Sequence, residues 1–230
     1  MINVDDNKRA LVLFSGGLDS TTTLAYALSQ QYKIIALTIN YKQRHCYEVE
    51  ASKKIIGRYS NVNQIIFDID LTKIGGSALT DDSIEVPSKN SSGIPVTYVP
   101  ARNTIFLSIA ASYAEKHKIE DIFIGVNAID YSGYPDCRPE FIKSFEQMIN
   151  LGTKSGSEGR PFTIHTPLIN LSKSEIITMG SNLDVNYRDT VSCYSLNERG
   201  EACGVCDSCV FRRQGFLDAG IEDPTIYKKK

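Results

Sequence analysis

The sequence has little of what would carry a chain into or across a membrane. No run approaches the ~18 consecutive apolar residues that a membrane span needs, and the polar stretch 1–9 lacks the apolar centre of a signal peptide. A soluble, cytoplasmic protein with no membrane partner is expected. An excess of positive charge is missing too. Lys and Arg number 25 against 27 Asp and Glu, for a formal net charge of −2. A chain built to neutralise a phosphate backbone would carry more, so no direct nucleic-acid partner is expected. The basic end Lys228-Lys229-Lys230 is short and reads as a solvated terminus. Internal repeats and low-complexity segments are absent. Neither the Walker A string G-x-x-x-x-G-K-[ST] nor the dinucleotide fingerprint G-x-G-x-x-G occurs.

The 230 residues, 42% of them hydrophobic, suffice for one substantial core and a small appendage. Short apolar runs alternate with amphipathic ones. Residues 10–14 (ALVLF), 33–39, 64–69 and 121–126 read as strands, and 22–30, 48–59, 103–118, 138–151 and 173–181 as helices. Continuous apolar strands alternating with helices imply an α/β fold, an open doubly wound parallel sheet covered on both faces. Residues 72–98, rich in Gly, Ser, Pro and Asp, read as a long loop or lid.

The first strand runs into Ser15-Gly16-Gly17-Leu18-Asp19-Ser20 and then a helix. A helix start offers unpaired N–H groups and a positive dipole end, which suit phosphate. Two glycines let a polyphosphate approach the backbone. Asp19 would repel phosphate directly, so its expected work is to orient the loop or hold Mg²⁺. Arg102, just before the helix at 103–118, could pair with phosphate bidentately.

Cysteine is scarce except at one place. Cys46 and Cys137 stand alone, whereas Cys193, Cys203, Cys206 and Cys209 crowd together near the C-terminus. C-x2-C-x2-C with a fourth cysteine upstream fits zinc, an iron–sulfur cluster or a redox pair. Zinc is favoured because nothing else in the chain suggests electron transfer. The expected division is an α/β domain over 1–185 and a zinc-binding C-terminal element over 186–230.

The loop leaving the strand at 121–126 mixes flat aromatics with charged groups. Asp130, Tyr131, Ser132, Tyr134, Asp136 and Arg138 are the candidates there for holding a planar heterocycle with N–H donors.

The glycine turn resembles the pyrophosphate loop of the N-type ATP-pyrophosphatases. That likeness implies an adenine-nucleotide α-hydrolase-like fold, attack on the α-phosphate of ATP, and ATP contacts from Phe14, Ser15, Gly16, Gly17, Leu18, Asp19, Ser20, Thr21, Thr22 and Arg102. A narrower resemblance covers nearly the whole chain. FSGGLDSTT at 14–22, Tyr41-Lys42-Gln43-Arg44-His45 with Glu48, VPARN at 99–103, GVNAIDYSGYPDCRPEF at 125–141, T-x-S-C-Y at 190–194 and ACGVCDSC at 202–209 are similar to the 7-cyano-7-deazaguanine synthase family, in its order. The resemblance implies an ATP-dependent ligase that turns 7-carboxy-7-deazaguanine and ammonia into the nitrile. It also implies ATP with Mg²⁺, a zinc on the four cysteines, and a homodimer. No residue stands out as an obligatory nucleophile. Asp19, Arg102 and His45 are the catalytic candidates, while His117 and His165 read as structural and Cys137 as a packing residue. The rivals are a tRNA-thiolating enzyme of the same superfamily, an amide-forming ligase and a non-catalytic zinc adaptor. The last would leave the glycine turn and the polar loop unexplained.

Overall fold

The computed structural model describes residues 8–44, 47–87, 93–129 and 133–229. The candidates His45, Asp130, Tyr131 and Ser132 lie outside them. Five parallel strands form one sheet in the order β3-β2-β1-β4-β5: β1 (Arg9–Leu13), β2 (Lys33–Asn40), β3 (Val62–Asp68), β4 (Asp121–Ile124) and β5 (Thr163–His165). The first strand is therefore central, with Leu11 opposite Ile35 on one side and Ile122 on the other.

Because side chains alternate along a strand, β1 feeds two separate cores. Ala10, Val12 and Phe14 pack with Leu24 and Ala27 of α1 (Leu18–Ser29) and Ile55 of α2 (Tyr47–Ile56). Leu11 and Leu13 face the other way, toward Leu107 of α3 (Arg102–His117) and Phe145 of α4 (Pro139–Gly152). Helices cover both faces, so the sheet is doubly wound. A single turn, α5 (Lys154–Ser157), precedes β5. Beyond the sheet, α6 (Lys173–Asn182) and α7 (Asp207–Asp218) pack on α1, joining Leu18 and Ala25 to Ile176, Ile177 and Phe216 in a third cluster.

Several elements depart from the sequence reading. Helix α1 begins at Leu18 rather than Thr22. Strand β5 and helix α7 were not expected. The stretch read as a loop or lid is anchored near its start, where Ala78 and Leu79 are buried and Leu79 joins the core with Leu71 and Val99.

The chain leaves β1 toward β2 and β3, then crosses back through α3 to β4 on the opposite side of β1. Strand order thus reverses at the carboxyl end of β1, where an open α/β sheet forms its ligand crevice. The glycine turn follows β1 at that point.

Candidate active site

A cavity of about 220 Å³ opens at this switch point. Phe14, Ser15, Gly17, Leu18, Asp19 and Ser20 form its floor, Tyr41, Gln43, Glu48, Arg102 and Phe106 one side, and Asn127, Tyr134 and Cys137 another. Val191, Ser192 and Tyr194, from beside the cysteine cluster, close it.

The turn is shaped by its own hydroxyls. Ser15 N donates to Ser20 Oγ at 3.2 Å, Gly17 N to Ser15 Oγ at 3.2 Å, and Ser20 Oγ to Gly17 O at 3.1 Å. No side chain caps Gly17 at the start of α1, so the first-turn N–H groups present the positive end of the helix dipole to the cavity. Gly16 has φ +83°, and a Cβ on it would lie 2.7 Å from Ser52 N and 2.8 Å from Glu48 O. Backbone of α2 therefore abuts the turn, and only glycine fits. From the other side, Val191 N donates to Gly16 O at 3.0 Å.

Asp19 does not stand alone. Lys173 Nζ, from the first turn of α6, donates to its two carboxylate oxygens at 2.7 and 3.0 Å, and the lysine side chain is only 7% exposed. The pair cancels a negative charge that would otherwise face the cavity. Arg102 opens α3, and its Nη1 donates to the Tyr41 hydroxyl at 3.5 Å. Burial pushes the Tyr41 hydroxyl up to about 12, so it is neutral at physiological pH. Arg102 thus carries a guanidinium at the cavity with no carboxylate paired to it among the described contacts. Burial also raises the pKa of Glu48, and the charge of Arg102 and the amide of Gln43 pull it back.

Other expected residues sit elsewhere. Gly16, Thr21 and Thr22 are not on the cavity wall: Thr21 Oγ1 donates to Gly17 O, and Thr22, fully buried, shares a 2.8 Å hydrogen bond with the Tyr187 hydroxyl. Of the substrate-loop candidates described, Tyr134 reaches the cavity, its hydroxyl 2.8 Å from Thr97 Oγ1. Asp136 is buried at the start of α3, where its Oδ2 accepts from Asn103 N at 3.0 Å. Arg138 is exposed at the start of α4. Cys137 lies on the wall with Asn103 Nδ2 3.4 Å from its sulfur, and burial, then the charge of Asp136, pushes its thiol up to about 12. His165 stacks on Phe123 at 4.3 Å and meets Asp121 at 2.6 Å, and His117 stacks on Tyr113, so both have structural partners.

Lys173 escaped the sequence reading. The one local signal was the Ser172-x-x-Glu175 capping box, which sets the helix start but says nothing of a carboxylate 154 residues away.

The sulfurs of Cys193, Cys203, Cys206 and Cys209 all lie within 4.8 Å of one another, and all four residues are buried. Backbone N–H groups point at them: Cys203 N and Ser195 N at Cys193 Sγ, each at 3.2 Å, and Cys206 N at Cys203 Sγ at 3.4 Å. Donors aimed at sulfur favour thiolates, the form that ligates metal. The cluster is also the buried core of the C-terminal segment. Next to it, buried Arg212 donates to Tyr187 O at 2.9 Å and Thr190 Oγ1 at 2.7 Å, fixing the start of the irregular arm 190–194.

The family model described as "Queuosine biosynthesis protein QueC" matches residues 9–220. A 7-cyano-7-deazaguanine synthase of Saccharophagus degradans is 56% identical over 221 residues, 96% of this chain and 98% of the relative. One of Dechloromonas aromatica is 55% identical over 222 residues, 96% and 99% of the two chains. Among solved structures, NMN synthetase from Francisella tularensis superposes with a TM-score of 0.52 at 16% identity, covering 94% of this chain and 78% of the other. A 4-thiouridine synthetase, solved in complex with RNA and with bound ATP, gives 0.52 at 19% identity, covering 93% and 54%. At such identities these two likenesses concern the fold.

Proposed function

Because the chain belongs to the family of the queuosine biosynthesis protein QueC, we propose that it converts 7-carboxy-7-deazaguanine and ammonia to 7-cyano-7-deazaguanine at the expense of ATP. The observation that carries this reading is the cavity itself, where a helix start with no side-chain cap, the Arg102 guanidinium and a wall of aromatic rings meet at the switch point of the sheet.

Neither oxygen of a carboxylate leaves unaided, so the reaction needs two activations. A carboxylate oxygen attacks the α-phosphorus of ATP and pyrophosphate departs. Ammonia then attacks the acyl carbon, loses a proton and expels AMP, giving the amide. The amide oxygen attacks the α-phosphorus of a second ATP and expels a second pyrophosphate, and loss of both N–H protons with AMP leaves the nitrile. The start of α1 holds the leaving pyrophosphate, and Arg102 stabilises charge gathering on the α-phosphate. Lys173 keeps the Asp19 carboxylate engaged, so that Asp19 shapes the turn without repelling the polyphosphate. Mg²⁺ enters with the nucleotide as MgATP.

The donor set of the C-terminal cluster suits zinc. Tetrahedral Zn–S bonds of ~2.3 Å give sulfur–sulfur edges of roughly 3.8 Å, against the 3.9 Å between Cys203 and Cys209. Cys193, Cys203, Cys206 and Cys209 would hold it, and a zinc closed by four thiolates is structural. It would fix the element from residue 186 onward and with it the arm that closes the cavity. A cytoplasmic homodimer is part of the same proposal.

Incubation with 7-carboxy-7-deazaguanine, ammonium and MgATP, followed by mass spectrometry, tests the reading. The nitrile, a transient amide, AMP and pyrophosphate are the expected species. Neither nitrile nor amide would overturn the assignment, and ADP with phosphate would move the attack to a different phosphorus.

A further inference from the structure

Two heterocycles must be told apart in this cavity, and one side chain has the chemistry to do it. The lining includes two carboxylates, Asp19 and Glu48. Both oxygens of Asp19 are engaged by Lys173. Glu48, in the first turn of α2, has among the described residues a single long hydrogen bond, 3.4 Å from Gln43 Nε2. The Gln43 amide is set by its other end, because Oε1 accepts Tyr41 N at 3.1 Å, which turns the NH₂ group toward Glu48. The result is a carboxylate on the cavity wall, supported from behind and retaining most of its acceptor capacity.

A purine-type ring with N1–H and a 2-amino group offers two parallel N–H donors, which match the two oxygens of a carboxylate. Adenine offers an acceptor at N1 and no 2-amino group, so a carboxylate facing that edge repels it. Tyr41 and Phe106, with ring centroids 5.5 Å apart, line the same side and supply flat apolar surface for a planar ring.

We propose that Glu48 is the specificity-determining acceptor that reads the N1–H and 2-amino edge of the deazapurine and keeps adenine out of that subsite. The proposal rests on the substrate reading given above. Charge-assisted hydrogen bonds of this kind, once desolvated, separate ligands that have the donors from those that lack them by roughly 10- to 100-fold.

Calorimetric titration of the metal-replete full-length chain with 7-carboxy-7-deazaguanine, and with its analogue lacking the 2-amino group, tests this. The wild type should prefer the parent about 10- to 100-fold, and Glu48→Gln should reduce that preference to less than about threefold while leaving the ATP Kd within about twofold. Glu48→Asp, which keeps the charge on a shorter arm, should bind the parent more weakly yet retain a preference for it. That rescue separates recognition from a folding defect. A Glu48→Gln protein that keeps the full preference, or loses ATP binding instead, overturns the role of Glu48 and leaves the proposed reaction standing. A wild type that binds neither deazapurine overturns the substrate reading itself.

Discussion

The Asp19–Lys173 pair makes a quantitative prediction, because its two members are buried unequally. Lys173 is 7% exposed and Asp19 21%. Removing one member of a well-buried ion pair costs about 3–5 kcal/mol, most of it from the charge left behind. Lys173→Met strands Asp19, which still touches solvent through the cavity, and screening lowers the expected cost to about 2 kcal/mol. Asp19→Asn takes the carboxylate from beside the more deeply buried ammonium and should cost about 3 kcal/mol. The double variant strands no charge, so its loss should fall short of the sum of the two by about 1–3 kcal/mol. Urea unfolding of the four proteins, read by far-ultraviolet circular dichroism with m-values compared, closes the cycle. Gly215→Ala provides an independent approach to the same pair. A Cβ there would lie 2.4 Å from Lys173 Cγ, so it displaces the lysine without altering any charge and should lower stability in the same direction. Additivity of the two charge-removing variants within about 0.5 kcal/mol would refute the coupling.

Other expectations follow from the same geometry. Gly16→Ala should cost at least about 2 kcal/mol and abolish ATP binding, since it combines a strained φ with backbone contacts that cannot yield; Gly17→Ala, at φ −79°, should be milder in the same titration. Cys137 should stay unlabelled by iodoacetamide in native protein at pH 8, because its thiol is held neutral up to about 12, and Cys137→Ala should retain turnover. Elemental analysis should find about one zinc per chain. Cys206→Ser should lose that metal and weaken ATP binding, although none of the four cysteines is among the residues lining the cavity; unchanged ATP affinity in metal-free protein would break the link between the two.

Much of this architecture was legible because burial leaves a direct trace. The run Ala10–Phe14 needed both faces covered, and the glycines after it announced a turn at the carboxyl end of the strand. The helix that follows was read four residues too late, for a local reason. Ser20-Thr21-Thr22-Thr23 is a poor helix start by propensity, yet Thr21, Thr22 and Thr23 each return a hydroxyl to the carbonyl four residues back, which lets β-branched residues sit in the first turns. Strand β5 is three residues long, too short for any period to emerge. Helix α7 hides because its face is not simply apolar: Arg212 is buried in it as a hydrogen-bonding hub, and Gly215 leaves room for Lys173. At the site, the cysteines and the turn are contiguous strings and could be read. Lys173 meets its partner only through tertiary packing, and no local pattern encodes that.

The hydrogen bond from Val191 to Gly16 has a consequence for the order of events during synthesis. At ~5–20 residues per second, the clamping backbone emerges on the order of 10–35 s after the turn it clamps. Until then the glycine loop is open on the side that the arm will cover, although β4 and Lys173 have already been made. On the proposed function, a growing chain would therefore hold nucleotide less firmly than one whose clamp is in place. A segment made late thus acts as the latch on one made early.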